Sequence, residues 1–162
     1  MRRRSGLCGR TVDAREAAGA ACRRARDREV SSALCVLDAS VGVRVFRDEP
    51  GSAEARDLVD RHIRHEITIA VDTLFHYEVL RAASRDGGGA DVVRVWRDLE
   101  SFGLVTVPLG DELVSAAAVR SATGCAPYAA FSAGLADLRE APLYSADARA
   151  HGSHPRVRLV GA

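Results

Sequence analysis

Short apolar runs recur along this chain, and stretches of helical spacing separate them. Leu34–Leu37 is continuously apolar, and Ile67–Ala70, Leu104–Val107, Leu143–Ala146 and Val157–Val160 read as further short strands. A strand buried on both faces loses the alternation of a half-exposed one, which is the mark of a parallel sheet. Parallel strands need long crossovers, and helices usually supply them. The alternation therefore predicts an α/β fold with a central, mostly parallel sheet of about four to five strands flanked by helices.

The intervening segments carry helix signals. Asp48-Glu49-Pro50-Gly51 is a turn, and Ser52 is placed to cap a helix whose Ala55, Leu58, Val59, His62 and Ile63 share a face. Leu74, Tyr77, Leu80 and Arg81 form a seam over 72–84, with Glu78 beside Tyr77. Gly87-Gly88-Gly89 reads as a break before a helix over Asp91–Ser101, with Val92, Val93, Trp96 and Leu99 on one face. A helix runs from Asp111 to about Ala122. Pro127 suits the first turn of another, in which Tyr128, Phe131, Leu135 and Leu138 make one buried stripe.

Composition matters at the amino end. All 23 basic residues of the 162 are arginine. Residues 1–32 hold nine of them against four acids, and residues 33–162 hold 14 against 18. The first segment has no apolar stretch of signal-peptide type and few large apolar residues. It is expected to be a disordered, Arg-rich extension, or the product of an early start site, ahead of one domain at 33–162. Cys8, Cys22, Cys35 and Cys125 are scattered, which suggests neither a disulfide framework nor a zinc knuckle. No run approaches the ~18 apolar residues of a membrane span, so a cytoplasmic setting without membrane contact is expected.

Ligands of open parallel sheets bind beyond the carboxyl ends of the strands. Asp38 follows the first strand and Asp147 the fourth, while Glu78 lies with an apolar seam. Clustered carboxylates repel, and an oxygen-only set that holds a divalent cation suits Mg²⁺ or Mn²⁺. Each acid also has a plain structural reading. Asp38 and Asp147 are placed to cap helices, and Glu78 is placed to pair with Arg81. His62 and His65, and likewise His151 and His154, sit three apart. No further ligand is spaced for zinc, so His62 reads as packing and the others as surface.

Val36-Leu37-Asp38-Ala39-Ser40-Val41, Asp48-Glu49-Pro50-Gly51, Tyr77-Glu78-Val79-Leu80 and Ala141-Pro142-Leu143-Tyr144-Ser145-Ala146-Asp147 occur in that order. Together they resemble a PIN domain, and most closely the VapC-type ribonuclease toxins of toxin–antitoxin pairs. The resemblance implies a compact three-layer fold and an acid-lined site for Mg²⁺ or Mn²⁺ that cleaves RNA. It also implies a homodimer and a small cognate antitoxin. Asp38, Glu78 and Asp147 would be the catalytic and metal-holding acids, with Ser40 and Ser145 orienting ligands or water. One position departs. The family pattern has an acid directly after the tyrosine of Pro127-Tyr128, where this chain has Ala129. That departure leaves two readings: a metal-dependent nuclease with one acid missing, or a degenerate domain that binds antitoxin or RNA without cutting.

Overall fold

The computed structural model of the chain describes residues 33–85 and 88–162. The Arg-rich segment 1–32 and the first glycine of the Gly87-Gly88-Gly89 run lie outside them. Five strands form one all-parallel sheet in the order β3-β2-β1-β4-β5. They are β1 (Ala33–Leu37), β2 (Ile67–Asp72), β3 (Val105–Val107), β4 (Leu143–Ser145) and β5 (Val157–Leu159). Between them run α1 (Ala39–Phe46), α2 (Ser52–Ile63), α3 (Thr73–Ala83), α4 (Gly88–Phe102), α5 (Asp111–Ala122), α6 (Ala129–Leu138) and α7 (Ala148–His151).

The central strand shows how the layers arise. Cys35 and Leu37 of β1 point to one face with Ile69 and Val71 of β2. There they meet Val41, Leu58, Phe75, Val79, Val95 and Leu99 from α1 to α4. Val36, Ala70 and Leu143 point to the other face and meet Leu113 of α5 and Ala133, Leu135 and Ala136 of α6. Side chains alternate across a strand, so one buried strand feeds both cores. The result is the expected three-layer α/β arrangement.

The helix faces differ from the sequence reading. In α4 the buried residues are Val95 and Leu99, while Val92, Val93 and Trp96 are exposed. In α6 Leu135 is buried, but Tyr128 and Leu138 are exposed; the inner face is Ala130, Ser132, Ala133, Gly134 and Ala136. In α3 the seam is Phe75 and Val79, and Tyr77 faces outward. The physical reason is close approach. A Cβ on Gly134 would stand 2.8 Å from the Ala117 backbone nitrogen of α5, and one on Gly42 would stand 2.6 Å from Phe75. Small residues line the α5–α6 contact, and at Gly42 the lack of a side chain lets Phe75 and Val79 pack against α1.

Other corrections are local. Gly51, with φ 87°, caps α2, and Ser52 begins it. Ser52 Oγ instead holds the preceding turn, donating toward the Arg47 and Glu49 carbonyls. Gly88 and Gly89 lie within α4. His62 packs as expected. Its Nδ1 accepts from Ile69 N at 3.2 Å, and its Nε2 lies 3.2 Å from the Gly103 carbonyl. Among the described residues no helix is long and apolar enough to cross a membrane.

Candidate active site

Three strands end at an acid that turns the chain into a helix. Asp38 caps α1, Asp72 caps α3 and Asp147 caps α7, each accepting a backbone N–H from two residues on. An aspartate in extended conformation satisfies the orphan donors of a helix start, and the helix dipole favours its charge. Because the strands are parallel, these caps share one edge of the sheet. The structural reading of Asp38 and Asp147 therefore holds, and it places the acids where ligands bind in such sheets.

Asp38 is the hub. It is buried, and five donors face its two oxygens. Oδ2 accepts from Ser40 N, Ser40 Oγ and Ser145 Oγ. Oδ1 accepts from Ser132 Oγ at 3.1 Å and lies 3.3 Å from His151 Nε2. Ser40 Oγ also accepts from Ala146 N, and Ser145 Oγ accepts from Asp147 N. One carboxylate thus ties together β1, β4, α6 and α7. Burial pushes its pKa up, but His151 outweighs it by hydrogen bond and charge, helped by Ser40. The carboxyl is held below the usual aspartate range.

Asp72 and Glu78 show the opposite balance. Burial, and then the charge of Asp38, raise Asp72 despite the N–H groups of Leu74 and Phe75. Burial, and then the charges of Asp38 and Asp72, raise Glu78, with Arg81 opposing. Glu78 is half-buried and makes no hydrogen bond or ion pair with a described residue, so the expected pairing with Arg81 is not formed. Asp147 is exposed, with only Oδ1 used in capping.

The sequence reading did not include Asp72 among the candidate acids and took His151 and His154 as surface. Both histidines are buried, and His151 is at the hub. A signal existed. His151 stands four residues after Asp147, which is one helical turn, and Ser132 stands three after Ala129. Ala129 opens α6, and its carbonyl lies 3.1 Å from Ser132 Oγ. Position 129 therefore stands one turn from a residue that touches Asp38.

The donor set fits a hard divalent cation in chemistry and charge. It is all oxygen, burial and then neighbouring carboxylate charge raise Asp72 and Glu78, and Glu78 has uncommitted oxygens. It is not gathered into a coordination shell: among the described residues no three acid, histidine or cysteine side chains stand close enough together to hold a metal.

A family model described as "PIN domain" matches residues 35–152. No curated protein sequence matches the chain. Solved structures are similar in fold at low identity. A toxin–antitoxin complex from Klebsiella pneumoniae is 13% identical with TM-score 0.60, covering 77% of this chain and 96% of its own. VapBC2 from Rickettsia felis, bound to a DNA fragment from its promoter, is 12% identical with TM-score 0.62, covering 78% and 96%. DNA-bound VapBC from Salmonella typhimurium is 15% identical with TM-score 0.59, covering 78% and 96%.

Proposed function

Because this chain belongs to the PIN-domain family, we propose that it is a Mg²⁺- or Mn²⁺-dependent endoribonuclease, the toxin of a toxin–antitoxin pair. The observation that carries the reading is the gathering of Asp38, Asp72 and Asp147 at the carboxyl edge of one parallel sheet, where the charge of Asp38 adds to burial in raising Asp72 and Glu78. Such repulsion costs stability, and a bound cation relieves it. Asp38, Glu78 and Asp147 are the residues to hold the ion, with Asp72 adding charge from behind. Ser40 and Ser145 fix the Asp38 carboxylate in one orientation. When bound, the ion supplies a water of lowered pKa and neutralises charge on the phosphodiester.

The toxin assignment is supported by the similar structures, two of which are named VapBC and one a toxin–antitoxin complex. A small antitoxin and a second copy of the chain are the proposed protein partners, and RNA the substrate.

Ala129 favours a second reading, a binding domain without cleavage. Loss of even a supporting partner of a metal site costs ~10–100-fold in affinity or activity. Both Asp38 oxygens are also committed to hydrogen bonds.

Incubation of end-labelled RNA with the purified protein separates the two. The nuclease reading expects internal cuts in Mg²⁺ or Mn²⁺, none in chelator, and loss of cutting in Asp147→Asn, whose side chain is exposed. Uncut RNA at every metal concentration, from folded protein, favours the binding domain.

A further inference from the structure

Beside the acid edge, where α3 and α4 meet the outer strand β3, lies an open pocket of about 330 Å³. Its lining is Thr73, His76, Tyr77 and Leu80 of α3, Trp96 of α4 and Thr106 of β3. Ligand pockets run roughly 300–1,000 Å³, so this one, at the small end, suits a single planar ring system. We propose that it takes one base of the nucleic-acid strand, stacked on Tyr77 beside Trp96, next to the acids that meet the backbone. The proposal deepens the nuclease reading and rests on it for the identity of the strand.

The placement comes from α3. Thr73 directly follows Asp72, the acid that caps this helix, and its hydroxyl donates to the Val107 carbonyl at the end of β3. Tyr77 directly precedes Glu78. Successive residues of a helix point about 100° apart. One helix therefore brings Glu78 under the charges of Asp38 and Asp72 and presents His76, Tyr77 and Leu80 to the pocket. A strand that meets the acids on one face of α3 finds the pocket on the next.

The lining specifies the occupant. The chain holds one tryptophan and three tyrosines, and Trp96 and Tyr77 both stand here, 40% and 69% exposed. Flat aromatic faces hold unpaired bases by stacking, and every base has a face to offer. Polar groups are also at hand. The Trp96 indole N–H, the Tyr77 and Thr106 hydroxyls and both His76 ring nitrogens make no hydrogen bond with a described residue. The His76 ring meets Phe75 and Trp96 edge to face. Burial holds its pKa below the ordinary histidine range, so at neutral pH the ring carries one N–H donor and one acceptor. Donors and acceptors without net charge match the edge of a base. A phosphate or a charged side chain calls for an opposite charge, and none of these six residues carries one at neutral pH.

The single tryptophan makes the test direct. Trp96 fluorescence is followed in the full chain, in chelator so that nothing is cut. The probes are a mixed-sequence hexaribonucleotide, an abasic strand with the same sugar–phosphate backbone, and the four nucleosides. Saturable quenching by the hexaribonucleotide is expected, tighter than by the abasic strand or any nucleoside. Tyr77→Ala should weaken it about 10–100-fold, the cost of one lost stack, and Tyr77→Phe, which keeps the ring, should restore it. Thermal melts confirm the fold of each variant. An equal response to the abasic strand, or binding that Tyr77→Ala leaves unchanged, overturns the base site even if the protein cuts RNA. A nucleoside that binds as tightly as the strand overturns the strand assignment. Light scattering tests a protein occupant: a Tyr77→Ala chain of altered oligomeric mass that still binds the hexaribonucleotide normally makes the pocket a protein interface and overturns the proposal. Base-dependent quenching in a protein that never cuts RNA leaves the base site standing and removes the nuclease.

Discussion

Asp38 does three things with one side chain. It caps α1, it gathers Ser40, Ser132, Ser145 and His151, and it repels Asp72 and Glu78. Its depressed pKa gives a signed expectation. The stabilisation is complete above the ordinary carboxylate range and is lost as pH falls through the lowered folded value. Asp38→Asn places an amide among donors, so it should destabilise by about 3 kcal/mol at neutral pH and flatten the acid limb of unfolding. Denaturant melts from pH 7 down to acid check this, and an unchanged acid limb rejects it. The same result disqualifies Asp38→Asn as a simple catalytic control. Glu78 has the opposite sign. Its folded pKa is raised, so the penalty grows as pH rises through the carboxylate range and is full above the folded value. Glu78→Gln should raise the melting temperature at pH 7, with the gain vanishing in acid. Added Mg²⁺ should raise the wild-type melting temperature more than that of the variant. A variant less stable than wild type at pH 7 contradicts the account of repulsion. At this scale the sequence made Asp38 and Asp147 legible, because an acid directly after a strand is a local pattern. His151 was legible only through its place one turn after Asp147, since its partner Asp38 lies more than a hundred residues earlier in the chain.

The strands and their alternation with helices were readable, since a short continuous apolar run between turn signals fits a strand buried on both faces. Helix faces were less so. The sequence reading followed the largest apolar residues, yet α6 turns Ala133, Gly134 and Ala136 inward and leaves Tyr128 out. A stripe of small residues carries little hydropathy, so its meaning depends on a neighbouring helix that arrives from elsewhere in the chain. That closeness is testable. Gly134→Ala puts a methyl 2.8 Å from the α5 backbone, where nothing flexible can give way. It should cost about 1–3 kcal/mol, read as a lowered denaturant midpoint. Because Ser132 sits two residues away on the same helix, the variant should also disturb the Asp38 network. A neutral Gly134→Ala would contradict so close an approach of α5 and α6.

The described part of the chain is built on a parallel sheet whose carboxyl edge collects acids through its helix caps. The fold alone produces this arrangement, since each crossover needs a helix start and aspartate serves it well. At that edge burial first, and neighbouring carboxylate charge after it, raise Asp72 and Glu78. Under the proposed nuclease reading, the position to test is Ala129, one turn from Ser132 at the start of α6. A carboxylate there gains from the helix dipole and faces the same edge. The decisive measurement is the rate of RNA cleavage in Mn²⁺ by the wild-type chain beside Ala129→Asp, each repeated in chelator. The account predicts slow, chelator-sensitive cutting by the first and cutting at least ~10–100-fold faster by the second. No metal-dependent cutting by either protein, both shown to be folded, would contradict it.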